Sequence, residues 1–332
     1  MDRTHTDLPT QQLTGTGELL QAVPYLLGFH PRQSLVLLGV DDRRLVVTAR
    51  LDLADVPASV TSAVEVMVRG GSTAFFAAVY APPPATAYRP VATAVMEAVD
   101  EYACGLLDIV LCDDDWWWTI GGCGSPLCCP PEGRPVPDEP SAFAAAATFD
   151  GVVVLSDRAE LAAQLAPDPG RDPDQLDPLL AEAEHAGVQA ALAGRLDRHE
   201  RSAKRALFAA ARAVQAGGAP VPDDPTVARF GVALSVPELR DSVWLAIDDG
   251  RLDGRDLWRG LGRRLPAPYS AAPLFLFGWA SWRAGNATLA GIAATSAVEA
   301  DPDYGAARLL LAAIAHGMAP QRTPRLRSRR FG

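Results

Sequence analysis

The strongest constraint on the fold is a change in apolar spacing along the chain. Residues 1–165 alternate β-rich runs with segments of helical spacing, which is typical of a mixed α/β domain. The next stretch, Pro167–Pro178, is rich in proline and aspartate, a composition typical of a linker. Beyond it, every segment has helical length. We therefore predict an α/β domain over 1–165, a linker over 166–178 and an all-helical domain over 179–318.

The elements of the first domain follow the order α-β-β-α-β-α-β-β. The third and fourth strands are separated by a helix, so they are expected to be parallel neighbours in a mixed sheet. Asp113–Asp115 is interpreted as a hairpin turn between the last two strands. A short helix and a strand-like run, Val152–Leu155, are expected near the end of the domain. The main elements are predicted at 17–27, 34–40, 45–53, 56–68, 73–80, 88–104, 106–112 and 116–120.

Two helical segments of the second domain, 271–283 and 287–299, have the residue spacing of a tetratricopeptide unit. Small and aromatic residues occur at the helix-contact positions, and Asp301-Pro302 closes the pair. A single repeat cannot bury its own apolar face, so the preceding helices must pack on it. An ordinary antiparallel bundle fits the pattern equally well. The arginine-rich end, 319–332, is predicted to be a disordered basic tail.

Composition restricts the classes of partner and compartment. The net charge of −10 disfavours broad nucleic-acid binding, because an acidic surface repels phosphate backbones. Residues 1–9 are polar, and no uncharged apolar stretch approaches the roughly 20 residues that span a bilayer. The 5 cysteines are an odd number, which favours a reducing compartment over a disulfide framework. A cytoplasmic protein without membrane contact is expected, and the sequence leaves the oligomeric state open.

Several catalytic motifs are missing from the sequence. Lys204 is the only lysine and follows no glycine-rich turn, so the phosphate-binding loop of nucleotide hydrolases is excluded. Gly15-Thr16-Gly17 follows no strand and lacks the third glycine of a dinucleotide site. Neither His-Glu-x-x-His nor Gly-x-Ser-x-Gly occurs. The order of strands and helices resembles that of the cytidine-deaminase-like fold, but the zinc-binding motifs of that fold are absent.

A segment rich in glycine, proline and cysteine, 121–140, is predicted to be an exposed loop without regular elements. Cys123, Cys128 and Cys129 lie close together within it. Their thiolates could bind zinc, although a structural zinc site needs four ligands, so Cys112 or His30 would have to complete it. A redox pair of Cys123 with Cys128 is a second possibility, and a purely structural role is a third.

The segment 24–34 is unusual for a loop that enters a buried strand. Gly28 permits a positive φ angle, whereas Pro31 restricts its neighbours. We predict that this segment forms one wall of a pocket with the cysteine-containing loop, or else a rigid connection from helix to strand. The candidate pocket residues are Pro24, Gly28, Phe29, Pro31, Ser34, Trp118, Pro130, Glu132 and Gly133.

Two stretches are similar to a known family. They are Pro24-Tyr-Leu-Leu-Gly-Phe-His-Pro-Arg-Gln-Ser-Leu-Val and the cluster of Trp118–Cys123 with Cys128-Cys-Pro-Pro-Glu-Gly133. They resemble the actinobacterial domain of unknown function 4192. Trp282, Gly285 and 301–304 extend the likeness over most of the chain. The resemblance implies an actinobacterial, cytoplasmic protein with no established activity.

Three functional hypotheses follow from the sequence. The first is a non-enzymatic binding or adaptor protein, whose helical half docks a protein partner and whose α/β half holds a small ligand. The second is a thiol- or metal-dependent enzyme or redox protein that uses Cys123, Cys128 and Cys129, with Asp113–Asp115 and Ser34 nearby. The third is a nucleic-acid accessory protein that uses an arginine-rich helix face over 198–212.

Overall fold

The computed structural model describes Leu13 and residues 15–149, 152–168, 173–217, 222–318, 320 and 323–326. The chain divides into two compact units, Met1–Leu161 and Ala162–Gly332. The first contains a mixed sheet with helices and is called the α/β unit; the second contains only helices among its described residues and is called the helical unit. The predicted fold class is therefore confirmed.

The α/β unit is built on a six-stranded sheet of order β2-β1-β3-β4-β5-β6. The predicted parallel pairing of the third and fourth strands is confirmed, and Tyr80 and Cys112 are aligned at the end of that pair. The other neighbouring strands are antiparallel. The strands are Ser34–Asp41 (β1), Arg44–Asp52 (β2), Ala74–Tyr80 (β3), Gly105–Asp113 (β4), Trp116–Thr119 (β5) and Arg134–Pro135 (β6).

Helices cover both faces of this sheet. Alternate residues of the central strands, such as Leu37, Phe75 and Leu111, form one buried cluster with Val60, Val64 and Val95 of α2 and α3. Tyr80 and Cys112 stand on the other face, towards α1 and α4. The helices are Thr16–Leu27 (α1), Val56–Arg69 (α2), Arg89–Glu101 (α3), Ala142–Phe149 (α4) and Arg158–Ala163 (α5), which crosses the boundary between the units.

Two predictions about the end of the α/β unit are wrong. The strand expected at Val152–Leu155 is a single bridge between Leu155 and Phe29, because only this pair aligns for backbone hydrogen bonding. The segment 121–140 also contains a regular element, since β6 pairs with Trp116 and Trp117 of β5. Pro135 is tolerated there because β6 is an edge strand and needs fewer amide donors.

The helical unit includes the predicted linker, and regular structure begins within that linker. Pro173–Leu176 forms a 3-10 helix, and α6 starts at Asp177 because Pro178 occupies its first turn, where proline costs no hydrogen bond. The linker residues 169–172 lie outside the described part of the chain. The helices are Asp177–Leu192 (α6), Leu196–Gln215 (α7), Asp224–Ser235 (α8), Pro237–Asp248 (α9), Arg255–Arg264 (α10), Ala271–Arg283 (α11), Ala287–Ala300 (α12) and Gly305–Ala315 (α13).

Helix α11 lies at the centre of the helical unit. All its residues from Ala271 to Trp282 are buried, which explains its nearly uniform apolar sequence. Its aromatic side chains pack edge to face or tilted against Trp244 and Tyr304. The helix also packs against α12, its partner in the predicted repeat. The likeness to a tetratricopeptide unit stays a prediction. None of the described helices is both long and apolar enough to cross a membrane.

A buried carboxylate joins three parts of the helical unit. Asp248, 3% exposed, accepts hydrogen bonds from Trp279 Nε1 at 3.0 Å and Arg283 Nε at 2.6 Å. The backbone N–H of Leu326 donates to the same carboxylate at 2.5 Å. A charge this deeply buried is tolerated because it is paired and fully hydrogen-bonded.

The described residues of the predicted disordered tail lie against the helical unit. Arg283 donates to the carbonyl oxygens of Pro320 at 2.6 Å and Thr323 at 3.1 Å, and Arg325 donates to that of Asp249 at 2.7 Å. These bonds connect the described residues 320, 323 and 325 to the helical unit. The other residues of the tail, 319, 321–322 and 327–332, lie outside the described part.

Replacing Asp248 with alanine should destabilise the helical unit by about 3 kcal/mol, because the nearly buried Arg283 would lose its ionic partner. Asp249→Ala is the matched control. Asp249 pairs with the exposed Arg251, so its loss should cost less than about 1 kcal/mol. Urea unfolding followed by tryptophan fluorescence measures both changes. Equal losses would contradict the role assigned to Asp248.

Candidate functional site

A cavity of about 720 Å³ lies in the α/β unit, where the parallel strands β3 and β4 end. Tyr80 and Cys112, the last aligned pair of these strands, both line it. In open α/β sheets, ligands bind in crevices outside the carboxyl ends of the strands, where loops diverge. This cavity occupies that position.

Helix α1 and the segment after it form one wall of the cavity. Tyr25 contributes from the helix, and His30, Pro31 and Arg32 contribute from the connection to β1. Gly28 ends the helix with φ +83°, a conformation that favours glycine. Its carbonyl oxygen accepts from Leu155 N, and His30 N donates to Leu155 O, each at 3.0 Å. These bonds fix the direction in which the segment leaves the helix.

The opposite wall is attached to α1 by one side chain. Gln21 Nε2 donates to the carbonyl oxygens of Pro137 at 2.5 Å and Glu139 at 3.0 Å. Its Oε1 accepts from the N–H of Ser141 at 2.7 Å. The side-chain amide therefore satisfies three backbone groups of a segment that has little regular structure of its own. It positions the lining residues Val136, Asp138 and Pro140.

Carboxylates predominate among the charged groups of the cavity. Asp114 and Asp115 come from the β4–β5 turn, and Asp138 comes from the opposite wall. Within the described part of the chain, none of these three carboxylates forms an ion pair. Arg32 supplies the single guanidinium among the described lining residues, and His30 also lines the cavity. The three carboxylates therefore outnumber the positive charge of Arg32 among the described lining residues, and the electrostatic potential of the cavity is negative.

The Tyr80 side chain combines burial with an unused polar group. It is 9% exposed, and its hydroxyl has no hydrogen-bond partner among the described residues. Burial, and to a lesser extent the neighbouring Cys112, raises the pKa of this phenol well above its usual range. The hydroxyl therefore remains protonated and can donate a hydrogen bond.

Cys112 is the only cysteine among the described residues that line the cavity, and it is a poor nucleophile. Burial raises the pKa of its thiol to about 12, and the carboxylates of Asp114, Asp113 and Asp115 add to the effect. Because the thiolate is the reactive form, almost none of this residue is nucleophilic near neutral pH. Its weak donor interaction with Asp114 O, at 3.9 Å, also suits a neutral thiol.

The three cysteines of the loop lie together outside the cavity lining. Cys123 and Cys128 are disulfide-bonded, although their Cα atoms are 7.6 Å apart. Cys129 Sγ lies 3.8 Å from Cys123 Sγ and 3.6 Å from Cys128 Sγ. Neither Cys112 nor His30 belongs to this group. The prediction that one of them supplies a fourth zinc ligand is therefore wrong. We call Cys123, Cys128 and Cys129 the cysteine cluster.

The cysteine cluster is supported by β5 and β6. Arg134 donates to the carbonyl oxygens of Leu127 at 3.3 Å and Cys128 at 3.1 Å. Its guanidinium also lies over the Trp117 ring, 5.6 Å from the ring centroid. Arg134 therefore connects the loop that carries the cysteines to the sheet.

The predicted pocket residues occupy different places. Pro24 and Pro31 line the cavity, and Gly28 and Phe29 form the adjoining connection to Leu155. Buried Ser34 instead accepts from Arg50 Nε at 2.8 Å and donates to Arg32 O at 2.6 Å. Trp118 packs on the sheet core, Pro130 lines a separate shallow depression, and Glu132 is exposed. Gly133 lies directly against Trp118.

Sequence reasoning missed several polar cavity residues, namely Tyr25, Arg32, Tyr80 and Asp138, and it considered Asp113–Asp115 only beside the cysteines. One signal was available, since the residues that end two parallel strands must meet at one edge of the sheet. This rule points to Tyr80 and to Asp113–Asp115. Nothing in the local sequence around Asp138 indicates that it reaches the same edge.

The helical unit contains a more apolar groove of about 590 Å³. Leu179 of α6, Ala203 of α7 and Phe230 of α8 lie along it. Arg229 and Glu200 supply charges, and His199 lies in the same lining. The groove lies on the domain for which a protein partner is predicted, and that partner stays a prediction.

Fold and site together define a two-unit protein with a charged cavity at the end of a parallel strand pair. The chain matches the family described as "Domain of unknown function (DUF4192)" over residues 17–321. Because this match covers nearly the whole chain, the protein belongs to that family. Neither a curated protein sequence nor a solved structure matches the chain.

Gly133→Ala should destabilise the α/β unit more than Gly121→Ala. Both glycines have positive φ angles, +84° and +74°, so both variants suffer backbone strain of about 1 kcal/mol. Only at Gly133 would the added Cβ lie 2.5 Å from Trp118, which should cost about 1–3 kcal/mol more. Thermal unfolding measured by near-ultraviolet circular dichroism compares them. Equal shifts would show that Trp118 moves aside freely.

At pH 8, Cys112 should react with iodoacetamide about 1,000-fold more slowly in the folded protein than in the denatured chain, because its thiolate fraction is smaller. The rate should level off above pH 9.0, the ordinary thiol pKa, in the denatured chain but keep rising in the folded protein. Peptide mapping by mass spectrometry measures the modification. Equal folded and denatured rates would contradict the raised pKa.

Proposed function

We propose that the α/β unit binds a small polar ligand carrying a cationic group, in the cavity at the ends of β3 and β4. The observation that carries this proposal is Tyr80, which lines the cavity and whose buried hydroxyl has no hydrogen-bond partner among the described residues. A buried hydroxyl that is left unsatisfied costs about 1–3 kcal/mol, and a ligand acceptor would remove that cost.

The charge of the lining supports the ligand class. Asp114, Asp115 and Asp138 approach the cavity from two chain segments, and Arg32 comes from a third. An amine or guanidinium group would pair with the carboxylates, and an acceptor on the same molecule would face Arg32 or Tyr80. A multiply charged phosphate ester would be repelled by the three carboxylates.

The same geometry favours binding over thiol chemistry. The cysteine cluster is absent from the described lining of the cavity, and Cys112, which is present, is held as a neutral thiol. A nucleophilic enzyme needs an activated group within reach of its substrate pocket. Docking of a protein partner by the helical unit and an accessory role on nucleic acids stay predictions, as does the cytoplasmic location.

A panel of small molecules at millimolar concentration tests the ligand class by thermal shift. The panel contains zwitterionic amino acids, aliphatic diamines, guanidino compounds, neutral sugars and nucleoside monophosphates. Compounds with a cationic group should raise the melting temperature, since a ligand that binds only the folded state stabilises it. Stabilisation by nucleoside monophosphates alone, or by none of the compounds, would overturn the proposal.

Two variants then test the cavity with the compound that binds best. Asp138→Asn should weaken its affinity about 10-fold or more, because a charge-assisted hydrogen bond is lost. Tyr80→Phe should weaken it about 3- to 10-fold, the usual contribution of one neutral hydrogen bond.

Tyr88→Phe is the matched control, because the Tyr88 hydroxyl donates to Pro82 O and is not among the residues that line the cavity. Its affinity should equal that of the unmodified protein in isothermal titration calorimetry. Binding that is unchanged in both Asp138→Asn and Tyr80→Phe would place the ligand elsewhere.

A further inference from the structure

Three sulfur atoms lie within the reach of one metal ion at the cysteine cluster. Each of Cys123, Cys128 and Cys129 offers its Sγ, and all three atoms lie within 4.8 Å of one another. Cys123 and Cys128 are exposed and Cys129 is partly exposed, so an ion can reach them from solvent. All three sulfurs come from a segment of seven residues, 123–129.

The distances of Cys129 to its neighbours fit a tetrahedral zinc site. Zinc–thiolate bonds of about 2.3 Å place two sulfurs of a tetrahedron about 3.8 Å apart. Cys129 Sγ lies 3.8 Å from Cys123 Sγ and 3.6 Å from Cys128 Sγ. The Cα atoms of Cys123 and Cys128, at 7.6 Å, are farther apart than the roughly 4.4–6.8 Å that disulfides usually span. We propose that the reduced cysteine cluster binds one Zn²⁺ through three thiolates.

The backbone of the loop holds the sulfurs in place. The carbonyl oxygen of Ser125 accepts from Cys128 N at 3.2 Å and from Cys129 N at 2.8 Å, forming a tight turn. Gly122 leaves room for Cys129, because a Cβ on residue 122 would lie 2.5 Å from its Sγ. This turn brings two consecutive cysteines to the same side as Cys123.

Arg134 supplies the charge that such a site needs. A zinc ion with three thiolates carries a net charge of about −1, and a nearby cation offsets it. The Arg134 guanidinium is bonded to the carbonyl oxygens of Leu127 and Cys128 and is fixed over Trp117. Groups that orient ligands in this way tune metal affinity.

The fourth position of the site is open. Among the described residues, no fourth cysteine, histidine or carboxylate joins the cluster. Three protein ligands with an open position are typical of zinc sites that bind water or an external ligand. The site differs in this respect from a closed structural knuckle.

Metal binding requires the reduced loop. Two molecules of a small thiol supply two electrons to the Cys123–Cys128 bond, which yields two cysteine thiols and one external disulfide. Zn²⁺ then displaces three protons as the thiols become thiolates. This site does not depend on the cavity ligand, so either proposal can fail without the other.

The first test uses the full chain purified with a reductant and without a chelator. Elemental analysis should find one zinc per chain, and cobalt substitution should give a thiolate charge-transfer band. Cys129→Ser should lower zinc affinity by about 100-fold or more in competition with a chromophoric chelator. Cys104→Ser, which alters a cysteine outside the cluster, should leave the affinity unchanged.

A second test needs no variant. Bound zinc should protect Cys123, Cys128 and Cys129 together from alkylation, and a chelator should expose all three. A disulfide would instead protect only Cys123 and Cys128, and only a reductant would expose them. That pattern in reductant-purified protein, or full zinc retention in Cys129→Ser, would overturn the proposal.

Discussion

The parallel pairing of β3 and β4 determines where a site can form in the α/β unit. Because the two strands run in the same direction, Tyr80 and Cys112 end up aligned at one edge of the sheet. The chain then leaves that edge in two directions, towards α3 and into the turn that carries Asp114 and Asp115. Divergence of this kind leaves a crevice that neither connection fills. Helix α1 forms one wall of this crevice. Gln21 of that helix attaches the opposite wall through residues 137, 139 and 141.

The protonation states of two cavity residues follow from their burial at the end of the sheet. Tyr80 and Cys112 are both held protonated, because burial raises the pKa of each group and the nearby carboxylates act in the same direction on Cys112. The described lining combines a neutral phenol, a neutral thiol, three carboxylates outside any ion pair of the described residues and the Arg32 guanidinium, which suits recognition of a charged molecule. The exposed cysteines lie instead in the cysteine cluster, where Arg134 and Trp117 support the loop.

The helical unit depends on a different interaction. Apolar packing around α11 supplies its core, and the buried Asp248 connects α9 and α11 with the described residues of the C-terminal segment. Arg283 stacks over Trp279 and Trp282 while it pairs with this carboxylate. Backbone groups of the described C-terminal residues 320, 323 and 326 add hydrogen bonds to this buried ion pair.

Apolar periodicity by itself determined the order of elements, the parallel pair and the division into an α/β region and a helical region, since each depends on local spacing and short connections. It also singled out Cys123, Cys128 and Cys129, because clustered cysteines are visible in the sequence. Only the tertiary structure shows that Asp138 lines the same cavity as Tyr80, that Ser34 bonds to Arg50 instead, and that Asp248 accepts from Leu326 N. These arrangements depend on side-chain hydrogen bonds and loop paths between residues far apart in the chain, for which local spacing carries no signal.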